Sequence, residues 1–467
     1  MQKSRLYELV EALTVAERRR AVKFLAGPYG NARPEAAALF GALLRCRRQG
    51  RIPERRVLHA ALFPDRPYVD SWFRLLQSHL YRCLEHFLVC EQALQDTNVR
   101  HPLLLRAFRE HQLSRHLTRA LRRPPEPPYE QAENYLSRYQ VEHERYGLLA
   151  QAGRTRELNL QESENALDDA YVVAKLRQAC ITRSHESVFR TRYQLRFLPQ
   201  LLAYADESTH LALRMYAACY RALFADESEL HFRQFRDLLF AEGERFPPLE
   251  LRSLYVSALN FCVRRINENK KGYLREALDL YRNGLANEAL LEQGRLSRFA
   301  FNNIVGIALR LDELSFAESF VTTYADRLRA PFREATTAFN SARIAYAHRQ
   351  YERALVYLRD VHHSDLINEM TARILQAKIY YDTGEGDLLD HHLRATRRFL
   401  RRQKRVAYHH ENWTNVLRYF RKLYELNPHD EMECAELIDA VRAESILTEK
   451  SWLLQRIGAG RLGDHAL

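Results

Sequence analysis

Residues Asn340–Val361, NSARIAYAHRQYERALVYLRDV, decide the fold class of this chain. They predict a helical hairpin, in which a first helix carrying Ala342 and Tyr346 runs into a turn and a second helix begins at Tyr351. Ala354 lies three residues into the second helix, where a small side chain lets two helices approach to about 8–10 Å. Other stretches of the chain align with this hairpin, and we therefore expect a helical repeat.

The hairpin recurs toward the N-terminus. Ala317, three residues after Leu314, lies 37 residues before Ala354. Ala277 lies 40 residues further back and follows Leu274 by the same step. The pattern predicts an α-solenoid of stacked hairpins that is clearest between about 254 and 400, while the register before about residue 251 stays undefined.

Composition favours the same all-α class. The 467 residues include only 16 Gly and 15 Pro, and all-β folds need many turns built from these residues. An apolar fraction of 46% and an aromatic fraction of 11% argue against disorder. No segment alternates strictly between apolar and polar residues, so we predict no strand.

The hairpin resembles the tetratricopeptide repeat. The family pattern of a small residue and Tyr in the first helix, followed by Tyr-x-x-Ala, is matched by Ala342, Tyr346, Tyr351 and Ala354. Two features depart from the pattern: Arg349 occupies the usual Gly position, and the spacing of 37–40 residues exceeds about 34. The resemblance implies a superhelix with a concave surface that binds a protein or peptide.

The order of parts, including KLRQACITR at 175–183, also looks broadly like uncharacterised all-helical bacterial proteins. This second likeness implies no function.

The segment 124–128, PPEPP, is the clearest predicted domain boundary, because four prolines in five residues favour an extended spacer. Residues 1–123 hold 23 basic and 11 acidic side chains, whereas the rest of the chain is balanced. We therefore predict a basic helical domain at 1–123, a linker at 124–128, a tetratricopeptide-like array at 129–455 and a flexible tail at 456–467.

Local signals define several helices. Thr14 and Glu17 form a capping-box pattern ahead of a helix over 15–25. A single helix is predicted from Pro102 to about Leu121.

Two basic clusters are candidate binding patches, one at the N-terminus for nucleic acid, anionic lipid or acidic protein and one near residue 400 for phosphates or an acidic partner. The alternative for both is an ordinary solvated surface, since 62 of the 71 basic residues are Arg and the bias runs along the whole chain. The first cluster comprises Arg45, Arg47, Arg48, Arg51, Arg55 and Arg56, with Arg18, Arg19 and Arg20 as possible neighbours. The second is a helical stripe of Arg394, Arg398, Arg401 and Arg405.

No cofactor or metal is predicted. The residues Gly458-Ala-Gly460-Arg-Leu-Gly463 match GxGxxG, but they follow a helix and lack the strand that a dinucleotide site requires. The seven Cys show no CxxC spacing and are expected to be free thiols. With neither an export signal nor a transmembrane segment in the sequence, we expect a cytoplasmic protein.

The predicted function is a non-catalytic adaptor or scaffold that binds a protein or peptide on the concave face of the array. One alternative is a nucleic-acid-associated protein that uses the basic N-terminal domain. A second is an enzyme whose dispersed site the sequence does not reveal.

Overall fold

The computed structural model describes residues 4–52, 54–126, 128–151, 157–188, 191–224, 228–268, 270, 272–359, 366–403 and 407–459. The described residues form α-helices, two 3-10 turns and one short β-hairpin, so the all-α prediction is confirmed. Within these ranges, no helix has the length and apolar character needed to cross a membrane.

The chain divides into two compact units, Met1–Tyr220 with Arg245–Pro247 and Arg221–Glu244 with Pro248–Leu467. The helices up to residue 224 are α1 (Arg5–Ala12), α2 (Val15–Ala26), α3 (Pro34–Arg48), α4 (Arg55–Leu62), α5 (Asp70–Gln95), α6 (Thr97–Glu110), α7 (Ser114–Leu121), α8 (Ala132–Gln151), α9 (Leu160–Val188), α10 (Leu198–Glu207) and α11 (Leu211–Phe224).

The remaining helices are α12 (Ser228–Glu242), α13 (Pro248–Asn267), α14 (Tyr273–Ala286), α15 (Arg298–Arg310), α16 (Leu314–Tyr324), α17 (Ala330–Ala347), α18 (Tyr351–Arg359), α19 (Leu366–Asp382), α20 (Gly386–Arg401), α21 (Ala407–Glu425), α22 (Glu431–Ala443) and α23 (Lys450–Ala459). The 3-10 turns are Gly243–Arg245 and Ala325–Arg327. An antiparallel pair, β1 (Leu291–Glu292) and β2 (Arg295–Leu296), connects α14 to α15.

In the first unit, helices on both sides of the proline-rich segment pack together. Apolar side chains of α6 and α7 contact Val141 and Leu148 on α8. The buried Glu144 accepts a hydrogen bond from Arg109 Nε at 2.6 Å. The domain boundary at 124–128 stays a prediction.

The single helix predicted from Pro102 to Leu121 is wrong. The chain forms α6 and α7 instead, and Pro102 lies inside α6. Gln112 takes a left-handed conformation with φ 58°, and the Leu113 amide donates to the Phe108 carbonyl at 2.8 Å. This C-terminal hydrogen bond ends α6 and turns the chain into α7.

In the second unit, consecutive helices pack as pairs. Helix α17 contacts its own partner α18 and also α15, α16 and α19. This packing is compatible with a helical repeat fold. The four small residues singled out by the repeat, Ala277, Ala317, Ala342 and Ala354, are all 0% exposed. Tyr346 and Tyr351 pack together, with ring centroids 5.8 Å apart.

In three successive helix pairs, the same turn geometry joins the first helix to the second. Asp312, Arg349 and Gly384 have φ angles of 60°, 58° and 74°. In each turn, the next residue donates its amide to a carbonyl five residues earlier, at 2.9 Å in all three cases. Each turn is thus a left-handed helix C-cap that precedes the second helix of its pair.

Helix α23 packs against α17, α19 and α21 through Trp452. The indole stacks on Phe420 with ring centroids 4.8 Å apart, and its Nε1 donates to Tyr346 Oη at 2.9 Å. Tyr346 Oη in turn donates to Asp382 at 2.5 Å, and Arg456 Nη2 donates to the same carboxylate at 2.8 Å. Because α23 runs to Ala459, the first residues of the predicted flexible tail are helical.

Candidate functional site

A cavity of about 680 Å³ opens between α20 and α21 in the second unit. Helix α20 contributes Leu393, Arg394, Arg397, Leu400 and Arg401. Helix α21 contributes His410, Thr414, Leu417, Arg418, Arg421 and Lys422. We call this cavity the basic cleft, because six of the eleven described side chains that line it are Arg or Lys and none of the eleven is acidic.

The amphipathic pattern of the two helices places these cations. In α20, Leu389, Leu393, Thr396 and Leu400 are buried, and their steps of four, three and four residues form one stripe toward the core. Arg394, Arg397 and Arg401 therefore follow a neighbouring stripe. In α21, Trp413, Val416, Leu417 and Phe420 are buried and orient Arg418, Arg421 and Lys422 in the same way.

Three carboxylates neutralise part of the cleft. Asp390 pairs with both Arg394 and Arg421, and the hydrogen bond from Arg394 is the main cause that lowers the pKa of Asp390. Arg421 Nε also donates to Glu425 at 2.5 Å. Arg418 Nη2 donates to Glu444 at 2.7 Å.

The other three cations, Arg397, Arg401 and Lys422, have no carboxylate within 4.0 Å among the residues that the structure describes. Lys422 lies over the ring of Tyr419, 5.9 Å from its centroid. Six cations and three paired carboxylates leave a formal excess of three positive charges. Such an excess, concentrated in one concavity, attracts anions.

The predicted stripe and the observed lining overlap in part. Arg394 and Arg401 line the basic cleft, Arg398 is exposed outside it, and Arg405 lies outside the described residues. Arg397 also lines the cleft; it belongs to the same basic run in the sequence but not to the predicted stripe.

Sequence reasoning also missed the cations of α21, because it considered one helix at a time. Arg418, Arg421 and Lys422 are themselves a dense basic group. Pairing α20 with the next helix would have brought this group to the arginine stripe.

The N-terminal cluster is less charged than its sequence indicates. Arg47 pairs with Glu11 at 3.1 Å, and Arg55 lies 3.6 Å from Asp70. Arg56 lies over the ring of Tyr68, 5.7 Å from its centroid. Four exposed members have no carboxylate within 4.0 Å in the described part of the chain: Arg45, Arg48, Arg51 and the ring-stacked Arg56.

The sequence predicts Arg18, Arg19 and Arg20 near this cluster, and Arg18 contacts Glu11, the residue that also pairs with Arg47. Arg18 Nη2 donates to the Glu11 carbonyl at 3.1 Å, and proximity to Arg47 contributes, after burial, to the lowered pKa of Arg18. Arg20 instead pairs with Glu91 at 2.6 Å.

Asn31, His79 and Cys83 are the residue types of a cysteine-nucleophile site, but their geometry differs from one. Cys83 Sγ and Asn31 Oδ1 both lie near the same atom, His79 Nε2, at 3.5 and 3.1 Å. Burial raises the pKa of the Cys83 thiol and lowers the pKa of His79, which disfavours a thiolate–imidazolium pair. The Asn31 amide also donates to the Leu25 carbonyl at 3.0 Å, so the trio connects the α2–α3 loop to α5.

No cluster of three or more His, Cys, Asp or Glu side chains suited to a metal ion occurs within the described ranges. The seven cysteines are free thiols. No family model, no curated protein and no solved structure matches this chain.

Proposed function

We propose that this chain is a non-catalytic adaptor that binds an acidic segment of a partner protein in the basic cleft. The observation that carries the proposal is the excess of three positive charges in a cavity of about 680 Å³. Arg397, Arg401 and Lys422 are exposed and lack a carboxylate partner in the described ranges, so they are accessible to a complementary anion.

The lining favours a polypeptide as the anion. Leu393, Leu400 and Leu417 give the cleft an apolar component between the basic side chains. No Tyr, Phe or Trp is among the described lining residues, so the stacking platforms that bind single-stranded bases are missing there. An amphipathic helix with an apolar stripe and flanking Glu or Asp fits this combination.

The proposal includes a tetratricopeptide-like array for the helix pairs from α13 to α20. Its support is the fully buried Ala277, Ala317 and Ala354 in the second helices, together with the recurring left-handed turns. The resemblance implies a partner on the concave face. We place the partner in the basic cleft because the cavity and the unpaired cations occur there.

The test uses the full chain and a fluorescent 20-residue amphipathic peptide of Glu, Leu and Ala, with an otherwise identical peptide in which Gln replaces every Glu. We expect the acidic peptide alone to bind, with an affinity that falls as salt rises. The double variant Arg397→Gln/Arg401→Gln should weaken binding at least tenfold, because it removes two unpaired cations.

Arg398→Gln is the matched control, since Arg398 lies on the same helix but outside the lining. Equal binding of the acidic and Gln peptides, or equal loss in the control, would refute the proposal.

A second candidate function, nucleic-acid binding by the first unit, is favoured by the exposed and unpaired Arg45, Arg48 and Arg51. If this function holds, binding to a 20-nucleotide oligomer should show a steep salt dependence. The triple Gln variant at these positions should reduce the slope by about two to three units on a log–log plot. An unchanged slope would exclude this cluster.

A further inference from the structure

We propose that Arg397 and Arg401 form a subsite for a phosphoryl group on a side chain of the acidic partner segment. This inference rests on the proposed function and names the chemistry of its ligand. The two arginines are one helical turn apart on α20, and both line the basic cleft.

Their lack of counter-charge is the first argument. Like charges at positions i and i+4 of a helix repel each other by about 0.2–0.5 kcal/mol. An anion that pairs with both relieves this repulsion. Arg394, on the same stripe, has Asp390 as its partner, whereas Arg397 and Arg401 have no carboxylate within 4.0 Å among the described residues. Arg397 and Arg401 are therefore the lining cations of α20 that are free to pair with an anionic ligand.

The second argument is the match of charge and donors. A phosphoryl ester carries a charge of about −1.5 to −2 at pH 7 and has three acceptor oxygens. Two guanidinium groups present planar, forked N–H donors that fit these oxygens in bidentate geometry. A carboxylate offers one charge and two oxygens, and it would leave more of the excess of three uncompensated.

The third argument concerns the rest of the cleft. The Arg418 and Arg421 side chains are 51% and 42% exposed, so their ion pairs with Glu444, Glu425 and Asp390 are worth little. Carboxylates of the partner can exchange with these internal acids. A phosphorylated residue flanked by Glu or Asp thus uses both parts of the cleft.

The experiment compares three peptides that differ at one central position, which is Ser, Glu or phosphoserine in the same acidic amphipathic helix. Isothermal titration calorimetry with the full chain measures each affinity. We expect phosphoserine to bind about tenfold more tightly than Ser, with Glu between them. Arg397→Gln/Arg401→Gln should abolish the differences among the three, and Arg398→Gln should preserve them.

Arg397→Lys/Arg401→Lys separates charge from geometry, since it keeps both charges and loses the forks. For this variant, the logarithm of the ratio of phosphoserine-peptide affinity to Ser-peptide affinity should be less than half of its value for the unmodified chain. Circular dichroism checks that every variant keeps its helix content.

The outcomes are distinguishable. Equal affinities for Ser, Glu and phosphoserine would overturn the phosphoryl subsite and leave the adaptor proposal standing, whereas failure of all three peptides to bind would overturn the adaptor proposal itself. Inorganic phosphate and a 20-nucleotide oligomer are titrated as two alternative ligands. Tighter binding of either than of the phosphopeptide would overturn the assignment to a phosphorylated protein segment.

Discussion

Three residues of different type, Asp312, Arg349 and Gly384, share the left-handed backbone conformation in equivalent turns. Gly384 adopts positive φ without a steric penalty, but Asp312 and Arg349 adopt it despite their Cβ atoms. Arg349 thus takes the same left-handed conformation as Gly384 without the conformational freedom of Gly.

Substitutions at Arg349 and Gly384 should change the free energy of unfolding in opposite directions. Arg349→Gly should raise the free energy of unfolding by about 0.5–1 kcal/mol, because it relieves the left-handed strain. Gly384→Ala should lower it by about 1 kcal/mol through backbone strain alone, since nothing lies within 4 Å of the added methyl group. Urea unfolding followed by circular dichroism measures both changes. Gln350→Gly is the control: Gln350 has no positive φ, so this variant should lower the free energy of unfolding.

Asp382, whose carboxylate is buried, is a second residue that we expect to affect stability. It is 4% exposed and accepts hydrogen bonds from Tyr346 and Arg456, so it connects α17, α19 and α23. Asp382→Asn should cost about 3 kcal/mol, because Arg456 loses its buried counter-charge. Thermal unfolding of this variant, beside the exposed Asp387→Asn, tests the expectation, and equal melting temperatures would contradict it.

At the scale of elements, local sequence signals predicted some helix starts well. The capping box of Thr14 and Glu17 is present as predicted: the Glu17 amide donates to Thr14 Oγ1 at 3.2 Å, and α2 begins at Val15. The break between α6 and α7 escaped prediction because Gln112 gives no sign of positive φ in the sequence.

The cap of α2 has a measurable value. Thr14→Ala should lower the free energy of unfolding by about 1 kcal/mol, since it leaves the Glu17 amide without a partner. Thr14→Ser should be nearly neutral because it keeps the hydroxyl. Denaturant midpoints of the two variants provide the test, and a loss with Ser equal to that with Ala would argue against the cap.

The basic cleft shows why a site is harder to predict than its helices. Periodicity places Arg394 and Arg401 on one helix face, and this much follows from residue spacing. Which helix face lies opposite depends on tertiary packing, and that packing supplies Arg418 and Arg421. Likewise, Asp390 cancels part of the charge, which a count along the sequence does not reveal.

At the scale of the whole molecule, net charge is a poor locator of charged surfaces. The formal excess of +12 arises within residues 1–123, yet half of the Arg45–Arg56 cluster is paired with acids or stacked on an aromatic ring. The basic cleft, by contrast, lies in the part of the chain that is balanced overall. Local segregation of charge, and not its sum, creates the positive excess of the basic cleft.

Stability should depend on pH through half-buried histidines in both units. Burial lowers the pKa of His79, His101 and His392 below the usual value of about 6.5. The unfolded chain therefore binds protons more readily than the folded one, and stability that is complete above pH 6.5 is lost as pH falls through the lowered folded-state values.

We expect the melting temperature to fall between pH 7.5 and pH 5.5. His392→Gln should reduce this dependence, since Gln keeps a donor toward the Arg373 carbonyl, 2.8 Å from His392 Nε2, and cannot be protonated. Calorimetric scans across the range give the result. A melting temperature that rises on acidification would contradict the expected sign.

The recurring turn also bears on chain length. Asp312 and Arg349 occupy the same conformation 37 residues apart, and each is followed by a second helix of the same type. Joining Leu311 directly to Arg349 would remove α16 and α17, one second helix and one first helix, and would leave a connection of the same left-handed type. We therefore expect that a 37-residue step can be removed or added at this turn without a new kind of backbone connection.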